Sequence, residues 1–202
     1  ISERNNPLVE EVPKLWVILR RFVYPLANSL VLQTKGIKKI YEKKIKPNKI
    51  IILPNPISSK LSELRTHTLK QEKIILTVGR LDKNKRHDIL IDAFSSINPI
   101  GWKLKIIGHG NKKEELVKQI NKLGLNYKVE IISKVKNIHK YYNEASIFVF
   151  TSKTEGFPNA LLEAMHYGLP CISTDCKFGP SDLINDGING FLCDLRSTES
   201  LI

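Results

Sequence analysis

From residue 73 onward, short and mainly apolar runs recur along the chain, separated by polar segments that carry glycine. They show no strict alternation of apolar and polar positions, which is typical of strands in a sheet covered on both faces. The runs that we predict to be strands are KIILTVG (73–79), KLKIIG (103–108), KVEIIS (128–133), SIFVFT (146–151) and PCIST (170–174).

Between these runs, apolar residues return at the three- and four-residue spacing of a helix. The clearest stripes are Leu90, Ala93, Phe94 and Ile97, and then Leu116, Ile120 and Leu123 before Gly124. Strands that alternate with helices at this spacing form right-handed βαβ units and a parallel sheet. We therefore predict an α/β fold with a Rossmann-like, doubly wound parallel sheet over residues 73–202.

Residues 15–26 predict an amphipathic helix with Arg20 and Arg21 on its polar side and a last turn bent by Pro25. Its apolar stripe consists of Leu15, Ile18, Leu19, Phe22, Val23 and Leu26. We favour a helix that faces a protein core, and a helix that lies on a membrane surface is the alternative. Further on, SLVLQT (29–34) and KIIILPNP (49–56) predict strands on either side of a helical segment.

The net charge of +12 favours polyanions, phosphorylated ligands or an anionic membrane surface. Much of it lies in residues 35–49, which carry seven lysines and Glu42 as the one acid. This segment is either a solvated helix face or a patch that contacts a membrane. Nucleic acid is disfavoured, because no recognised binding module or interleaved aromatic residues accompany the lysines.

The cysteines, the histidines and the two chain ends further limit the possible classes of protein. The three cysteines have no CxxC spacing, which predicts reduced cytosolic thiols and no zinc site. The five histidines stand singly and are expected to be structural or surface residues. No signal peptide and no apolar run of roughly 18 residues are visible. Because the chain starts at ISERNNP without methionine and stops at STESLI, we expect it to be part of a longer protein.

Ligands of doubly wound domains bind beyond the carboxyl ends of the strands, where glycine and basic residues collect in this chain. GRLDKNKR (79–86) places Arg80 at one such end and Lys85 just before the next helix. Together they would neutralise a diphosphate. The alternative is an arginine paired with a neighbouring acid and a lysine in solvent. The segment 108–110, GHG, either lets the backbone approach a ligand or turns the chain tightly.

The segment TEGFPNALLEAMHYGLP (154–170) predicts a loop and then a helix with Pro158 in its first turn. The helix N-terminus is a candidate phosphate cradle. Glu155 would precede the helix and Glu163 lie within it, a spacing that suits gripping two hydroxyl-bearing parts of a long ligand rather than flanking one bond. Alternatively, both are ordinary helix and surface charges.

Together these motifs resemble the nucleotide-binding half of a GT-B glycosyltransferase, in the large retaining group called family 4. The resemblance runs through ILPNP (52–56), residues 76–94, residues 103–116 and residues 145–192, the last of which contains the Glu-x7-Glu motif of the family. It implies a GT-B fold, with a Rossmann-like donor domain and the tail of a second Rossmann-like domain.

The resemblance also implies the domain boundaries. Residues 1–57 would be the C-terminal tail of the acceptor-side domain, residues 58–72 a linker, and residues 73–202 the nucleotide-sugar-binding domain, truncated at its C-terminus. His109, Ser133 and the segment Asn55-Pro56-Ile57 depart from the usual pattern of the family, and the first two weaken any inference about the base or the sugar.

For individual residues, the resemblance implies roles in binding and transfer. Arg80 and Lys85 would bind the donor diphosphate and stabilise the leaving nucleotide, whereas Glu155 would contact the donor sugar and Glu163 the ribose hydroxyls. Other residues expected around the nucleotide are Gly79, Gly108, Ile132, Ser133, Lys134, Gly156, Phe157, Asn159 and Ala160. Residues 132–134 would border the base. Transfer would retain the anomeric configuration and require no metal or other cofactor.

The start of the chain and its NPI and GPSDL variants resemble enzymes that build lipid-linked O-antigen, capsule or glycan repeat units. They imply a UDP-sugar donor, with an N-acetylhexosamine as one candidate, and a polyprenyl-diphosphate-linked glycan acceptor bound through an absent N-terminal half. The enzyme would be cytoplasmic and peripheral on the inner face of the bacterial plasma membrane. By itself the chain is expected to bind the donor and to transfer sugar weakly or not at all.

Two other functions stay open on the sequence. A GT-B-like nucleotide-sugar epimerase would act on the donor without an acceptor, and a non-enzymatic basic module would bind a membrane or nucleic acid. The order of residues at the strand ends favours the glycosyltransferase.

Overall fold

The computed structural model describes residues 1–4, 6–8, 13–66, 72–194 and 199–201. The strands in this part of the chain form two sheets, and both are parallel. The small sheet pairs β1 (Leu30–Leu32) with β2 (Ile50–Ile52). The large sheet contains β3 (Ile74–Val78), β4 (Lys103–Ile107), β5 (Val129–Ile132), β6 (Ile147–Phe150), β7 (Cys171–Thr174) and β8 (Phe191–Cys193).

The strands of the large sheet lie in the order β5-β4-β3-β6-β7-β8. The chain therefore runs outward from β3 to β5, returns to the centre at β6, and runs outward again to β8. This confirms the predicted α/β class with a parallel, doubly wound sheet. In such sheets, ligands bind outside the carboxyl ends of the strands at the point where the order reverses. That point lies between β3 and β6.

From residue 73 onward the helices of the described residues follow the predicted alternation, and other helices precede that residue. The described helices are α1 (Lys14–Leu26), α2 (Lys35–Tyr41), α3 (Ser59–Glu63), α4 (His87–Ile97), α5 (Lys113–Lys122), α6 (Ile138–Glu144), α7 (Asn159–His166) and α8 (Pro180–Leu183), with 3-10 turns at Pro47–Lys49 and Glu199–Leu201. The predicted stripes are confirmed by the buried Leu90, Ala93 and Phe94 of α4 and by Leu116 and Ile120 of α5, whereas Ile97 and Leu123 are exposed. The left-handed Gly124 (φ 66°) follows α5, which is the usual place of glycine at a helix end.

Apolar side chains cover both faces of the large sheet, which explains why its strands lack polar alternation. Ile74 and Leu76 of β3 pack with Phe148 on one face, whereas Leu104 of β4 packs with Phe94 of α4 on the other. The sheet is thus a rigid platform that fixes the loops at its carboxyl edge.

The small sheet is joined to the large one through the segment after β7. Phe178 is buried in the cluster that contains Leu30 and Ile37. Asp182 Oδ1 accepts from the backbone N–H of Lys35, at the start of α2, at 3.0 Å. A side chain at Gly36 would place its Cβ 2.6 Å from the Phe178 ring, so the close contact requires glycine there.

The interpretation of the first helix as core-facing is wrong for the described residues. The helix is present, but none of its residues is buried, and Leu26 is 80% exposed. The physical reason is that no described element covers its apolar side. Tyr24 holds it to the rest of the chain by donating to Glu3 Oε2 at 2.7 Å. Within the described part of the chain, no helix has both the length and the apolarity of a membrane span.

The segment predicted as a linker contains the short helix α3, which is too brief to produce a visible period. Asn143 of α6 holds the end of this segment, since its side chain donates to the Leu64 carbonyl and accepts from the Thr66 N–H, both at 3.1 Å. Residues 67–71 lie outside the described residues. The division into an acceptor-side tail, a linker and a donor domain stays a prediction.

Candidate active site

The loop after β3 is fastened to the loop after β6 by the side chain of Asn84. Its amide nitrogen donates to the Thr154 carbonyl at 2.8 Å, and its amide oxygen accepts from the Thr154 N–H at 3.1 Å. The Asn84 carbonyl accepts from the Lys153 N–H at 2.7 Å. Asp82 Oδ1 shapes the turn by accepting from the N–H groups of Asn84 and Lys85. Asn84 therefore aligns the two loops at the point where the strand order reverses.

Lys85 and Glu155 meet where these loops join. Lys85 Nζ lies 2.5 Å from Glu155 Oε1, and the two side chains are only 15% and 11% exposed. The ammonium also lies 4.8 Å from the centre of the Phe150 ring, at the end of β6. A cation and a carboxylate are thus fixed on the loops that follow β3 and β6. They are mostly buried, and charges interact more strongly there than in water.

Arg80 lies apart from this pair. Its guanidinium is 3.3 Å from Asp82 Oδ2, and its side chain is 72% exposed. The loop therefore separates the two basic residues that we expected to face one cleft: Lys85 points inward and Arg80 lies at the surface beside an acid. The expected contact of Arg80 with a diphosphate stays a prediction, for which its exposed side chain would have to turn toward the ligand.

His87, the first residue of α4, contacts the loop that follows β3. Its Nε2 lies 3.2 Å from the Arg80 carbonyl oxygen, so this nitrogen carries the proton and donates. Its Nδ1 is buried without a hydrogen-bond partner among the described residues. Burial lowers the pKa of His87 to about 4, against the opposing effect of the Arg80 carbonyl and with a contribution from Lys85. His87 is therefore a neutral structural residue.

The N-terminus of α7 lies directly after the Glu155 loop, to which Gly156 and Phe157 connect it. The helix begins at Asn159. Pro158 was predicted to lie in its first turn, but it is the N-cap residue. Among the described residues no side chain caps this end, so N–H groups of the first turn remain for a ligand. Phosphate binds at such helix ends through the N–H groups and the helix dipole.

The predicted nucleotide-binding residues Asn159, Ala160 and Glu163 all lie on α7, but Glu163 has a partner of its own. Tyr142 Oη of α6 donates to Glu163 Oε2 at 2.9 Å. Burial raises the pKa of Glu163, and the bond from Tyr142 lowers it in part. Glu155 is thus held by a lysine and Glu163 by a tyrosine. The two glutamates are therefore held by different partners, and their predicted contacts with separate parts of one ligand stay a prediction.

The residues predicted to border the base lie at the end of β5 and directly after it, next to Gly108, which follows β4. Gly108 N–H donates to the Ile132 carbonyl at 2.9 Å, and Ser133 Oγ donates to the Gly108 carbonyl at 3.1 Å. Lys134 has a φ of 56°, which is uncommon for a residue with a side chain. Ile132, Ser133 and Lys134 contribute to the lining of a cleft of about 560 Å³.

Gly79 and Gly108 are brought together by close backbone packing. A Cβ on Gly108 would lie 1.8 Å from the Gly79 carbonyl oxygen, whereas one on Gly79 would meet the Lys85 side chain at 3.3 Å. Gly108 is therefore required by contact between the ends of β3 and β4. Its predicted contact with the nucleotide stays a prediction.

A second cleft, of about 650 Å³, lies on the other side of the β3 loop, between the N-terminal ends of α4 and α5. Its lining includes Asp82, His87 and Lys112, and it does not include Lys85, Glu155 or Glu163. The candidate site lies instead at Lys85 and Glu155, where the strand order reverses.

Two asparagines of the N-terminal part form hydrogen bonds with residues on either side of Glu155. Asn6 Nδ2 donates to Thr154 Oγ1 at 2.6 Å, and Asn55 Nδ2 donates to Asn159 Oδ1 at 2.8 Å. Gln33 Nε2 in turn donates to Asn55 Oδ1. The N-terminal part therefore contributes directly to the surroundings of the site.

Sequence reasoning missed Asn84 and Tyr142. Asn84 had a local signal, because asparagine in a polar turn often bonds to neighbouring backbone. A buried tyrosine usually finds a partner for its hydroxyl, but the sequence does not show that the partner of Tyr142 is Glu163.

Comparison with known proteins agrees with this architecture. The crystal structure of Anabaena HepE in complex with UDP superposes with a TM-score of 0.83 at 20% identity, over 99% of this chain and 59% of that one. The fold is therefore the GT-B type of glycosyltransferases, which was predicted. The chain belongs to the family Glycosyl transferases group 1, which it matches over residues 62–202.

Two curated relatives extend the match toward the N-terminus. The amylovoran biosynthesis glycosyltransferase AmsD of Erwinia amylovora is 34% identical over 185 residues, which are 90% of this chain and 52% of that protein. The GalNAc-alpha-(1->4)-GalNAc-alpha-(1->3)-diNAcBac-PP-undecaprenol alpha-1,4-N-acetyl-D-galactosaminyltransferase of Campylobacter jejuni is 31% identical, over 96% of this chain and 54% of that enzyme. The chain thus spans about half the length of these relatives.

Proposed function

We propose that this chain is the donor-binding part of a retaining, family 4 glycosyltransferase. The donor is a UDP-sugar, with an N-acetylhexosamine as one candidate, and the acceptor is a polyprenyl-diphosphate-linked glycan used in cell-surface polysaccharide synthesis. The observation that carries the proposal is the Lys85–Glu155 pair, at 2.5 Å, where the strand order reverses and next to the uncapped N-terminus of α7.

In this proposal, the protein stabilises the departing nucleoside diphosphate with fixed positive charge. Lys85 Nζ and the N–H groups at the start of α7 face the position at which negative charge develops as the glycosidic bond breaks. Such preorganised groups stabilise a transition state strongly, because they need no rearrangement during the reaction. Arg80 would add its guanidinium from the exposed side of the loop.

The two glutamates would hold opposite ends of the donor. Glu155 keeps Lys85 oriented and accepts hydrogen bonds from hydroxyls of the donor sugar. Glu163 accepts from the ribose hydroxyls, since an ionised carboxylate accepts and does not donate. The loop of residues 132–134 would border the base. We propose that no metal is required, because Lys85 and the helix N-terminus supply the positive charge.

Relatives support the choice of donor and acceptor. The Anabaena structure contains UDP, and the name of the Campylobacter enzyme specifies an undecaprenol-diphosphate-linked glycan. A lipid-linked acceptor would place the enzyme in the cytoplasm, on the inner face of the plasma membrane. The net charge of +12 favours contact with an anionic lipid surface.

A calorimetric titration with UDP, GDP and ADP tests the donor site. We expect selective binding of UDP, and a loss of about 10- to 100-fold in Glu163→Ala, because a hydrogen bond to a charged group is removed. The matched control is Glu115→Ala, whose carboxylate is exposed on α5. Equal binding of the three nucleotides, or equal losses in both variants, would contradict the proposal.

Retention is tested on the product of the complete enzyme. An α-linked donor should give an α-linked product, which the H1–H2 coupling constant in the NMR spectrum reports. A β-linked product would overturn the retaining assignment while leaving the donor site intact.

A further inference from the structure

We propose that Tyr142 is a positioning residue for ribose recognition, acting through Glu163. The inference rests on the proposed function, in which Glu163 holds the ribose hydroxyls. Tyr142 donates to Glu163 Oε2 at 2.9 Å from a different helix, and it lies 21 positions away in the chain. It is not expected to touch the nucleotide, because its side chain is buried.

The tyrosine ring has little freedom to move. Tyr142 is 1% exposed, and its ring centre lies 5.1 Å from that of Tyr167 and 6.1 Å from that of Phe148. A hydroxyl on such a ring is a fixed donor. It determines the rotamer of the Glu163 carboxylate and occupies one of its oxygens.

The Glu163 carboxylate keeps acceptor positions for a ligand on both oxygens. Among the described residues, Tyr142 is the hydrogen-bond partner of the Glu163 side chain, and it uses Oε2. The free Oε1 and the second lone pair of Oε2 are the acceptors that a vicinal diol needs. A carboxylate held in one orientation binds a diol with less loss of side-chain entropy than a mobile one.

The same bond favours the ionised form of Glu163 in partly buried surroundings. Burial raises the pKa of this carboxyl group, and the Tyr142 hydroxyl opposes that shift. The other titratable groups nearby are Tyr167, which directly follows α7, Cys171 on β7 and Arg65, which lies beside Tyr167. The Tyr142 hydroxyl therefore favours the ionised form of Glu163, which is the form that accepts hydrogen bonds.

The affinity ratio between UDP and 2′-deoxy-UDP tests the inference, because the two ligands differ by one ribose hydroxyl. We expect the wild-type chain to prefer UDP by about 10- to 100-fold. Tyr142→Phe should reduce this preference about five- to tenfold. The matched control is Tyr167→Phe, which removes a hydroxyl that donates to the Leu61 carbonyl at 2.7 Å and should leave the ratio unchanged.

A double-mutant cycle separates positioning from a general loss of stability. If Tyr142 acts through Glu163, Tyr142→Phe should not change the UDP to 2′-deoxy-UDP ratio in a Glu163→Gln background. The pH profile gives a second readout. UDP binding should weaken on acidification at a higher pH in Tyr142→Phe than in the wild type or in Tyr167→Phe, because the Glu163 carboxylate has lost its donor.

The UDP to 2′-deoxy-UDP ratio distinguishes a failure of the role proposed for Glu163 from a failure of the role proposed for Tyr142. Equal wild-type affinity for UDP and 2′-deoxy-UDP would overturn the role of Glu163, and this inference with it. A wild-type preference that Tyr142→Phe retains in full, or that Tyr167→Phe reduces equally, would overturn the inference alone. If Tyr142→Phe lowered the ratio just as much in the Glu163→Gln background, Tyr142 would act by another route.

Discussion

Lys85 and Glu155 are 70 positions apart in the chain, yet Lys85 Nζ lies 2.5 Å from Glu155 Oε1. Neither residue lies within a strand. Each lies on a loop that leaves the centre of the sheet, one after β3 and one after β6, and these two strands are neighbours. The pair is therefore a direct product of the strand order, and its partial burial makes each partner costly to remove alone.

We predict a strong energetic coupling between these two side chains. Lys85→Ala or Glu155→Ala alone leaves a largely buried charge without a partner, whereas the double variant removes both charges. The sum of the losses of unfolding free energy in the two single variants should exceed the loss in the double variant by about 1–3 kcal/mol. Urea denaturation of the four proteins measures this coupling. Additive effects would contradict the pairing.

Asn84 should control the order of the loop that carries Glu155. Asn84→Ala removes two hydrogen bonds to Thr154 and should cost about 1–2 kcal/mol. It should also speed the hydrogen exchange of the Thr154 amide by about tenfold, because this N–H loses its acceptor. Lys83→Ala, an exposed change one residue earlier, is the control. Unchanged exchange at Thr154 would show that Asn84 does not fasten the loops.

Two neighbouring glycines should respond differently to the same substitution. Gly108→Ala places a Cβ 1.8 Å from the Gly79 carbonyl oxygen and should destabilise the fold by about 3 kcal/mol or more, since backbone must move. Gly79→Ala meets only the flexible Lys85 side chain and should cost about 1 kcal/mol or less. Thermal unfolding compares them, and equal losses would contradict the geometry.

His87 should make stability depend on pH. Its pKa of about 4 in the folded chain lies below the ordinary value of 6.5, so the unfolded chain binds more protons between these values. Stability from the neutral His87 is therefore present above about pH 6.5 and is lost as the pH falls toward about 4. The loss should reach roughly 2–3 kcal/mol.

Urea unfolding from pH 7 to pH 4.5 checks the size of this effect. We compare the wild type with His87→Gln and with His109→Gln, where His109 is exposed. The wild type and His109→Gln should lose stability in parallel, and His87→Gln should lose less. A steeper loss in His87→Gln would show that His87 is not held in its neutral form.

The sequence was sufficient to predict β3 to β7 of the large sheet and the helices between them, because both faces of the sheet are covered and its apolar runs are strong. The short β8 was missed, since three residues give no period. The strand order was not predicted, and it brings the β3 and β6 loops together. The exposed apolar side of α1 could not be anticipated, because periodicity shows that a helix has an apolar side but not what covers it.

For the site, residue types at strand ends predicted Lys85 and Glu155, and the segment 154–170 predicted Glu163 on the following helix; their roles stay predictions. The separation of Arg80 from Lys85 could not be predicted, since it depends on the turn that Asp82 shapes. Asn6, Asn55 and Tyr142 contact the site from distant segments. Their partners are set by tertiary packing, for which a single sequence carries no local signal.

The most direct test of the central claim is the affinity of UDP for Lys85→Ala compared with that for Lys83→Ala. Both variants remove one lysine from the same loop, but only Lys85 is fixed beside Glu155. The account predicts a loss of at least about tenfold in Lys85→Ala, consistent with a charge-assisted contact to phosphate, and a change within about twofold in Lys83→Ala. Equal, small losses in the two variants would contradict the claim that Lys85 binds the diphosphate.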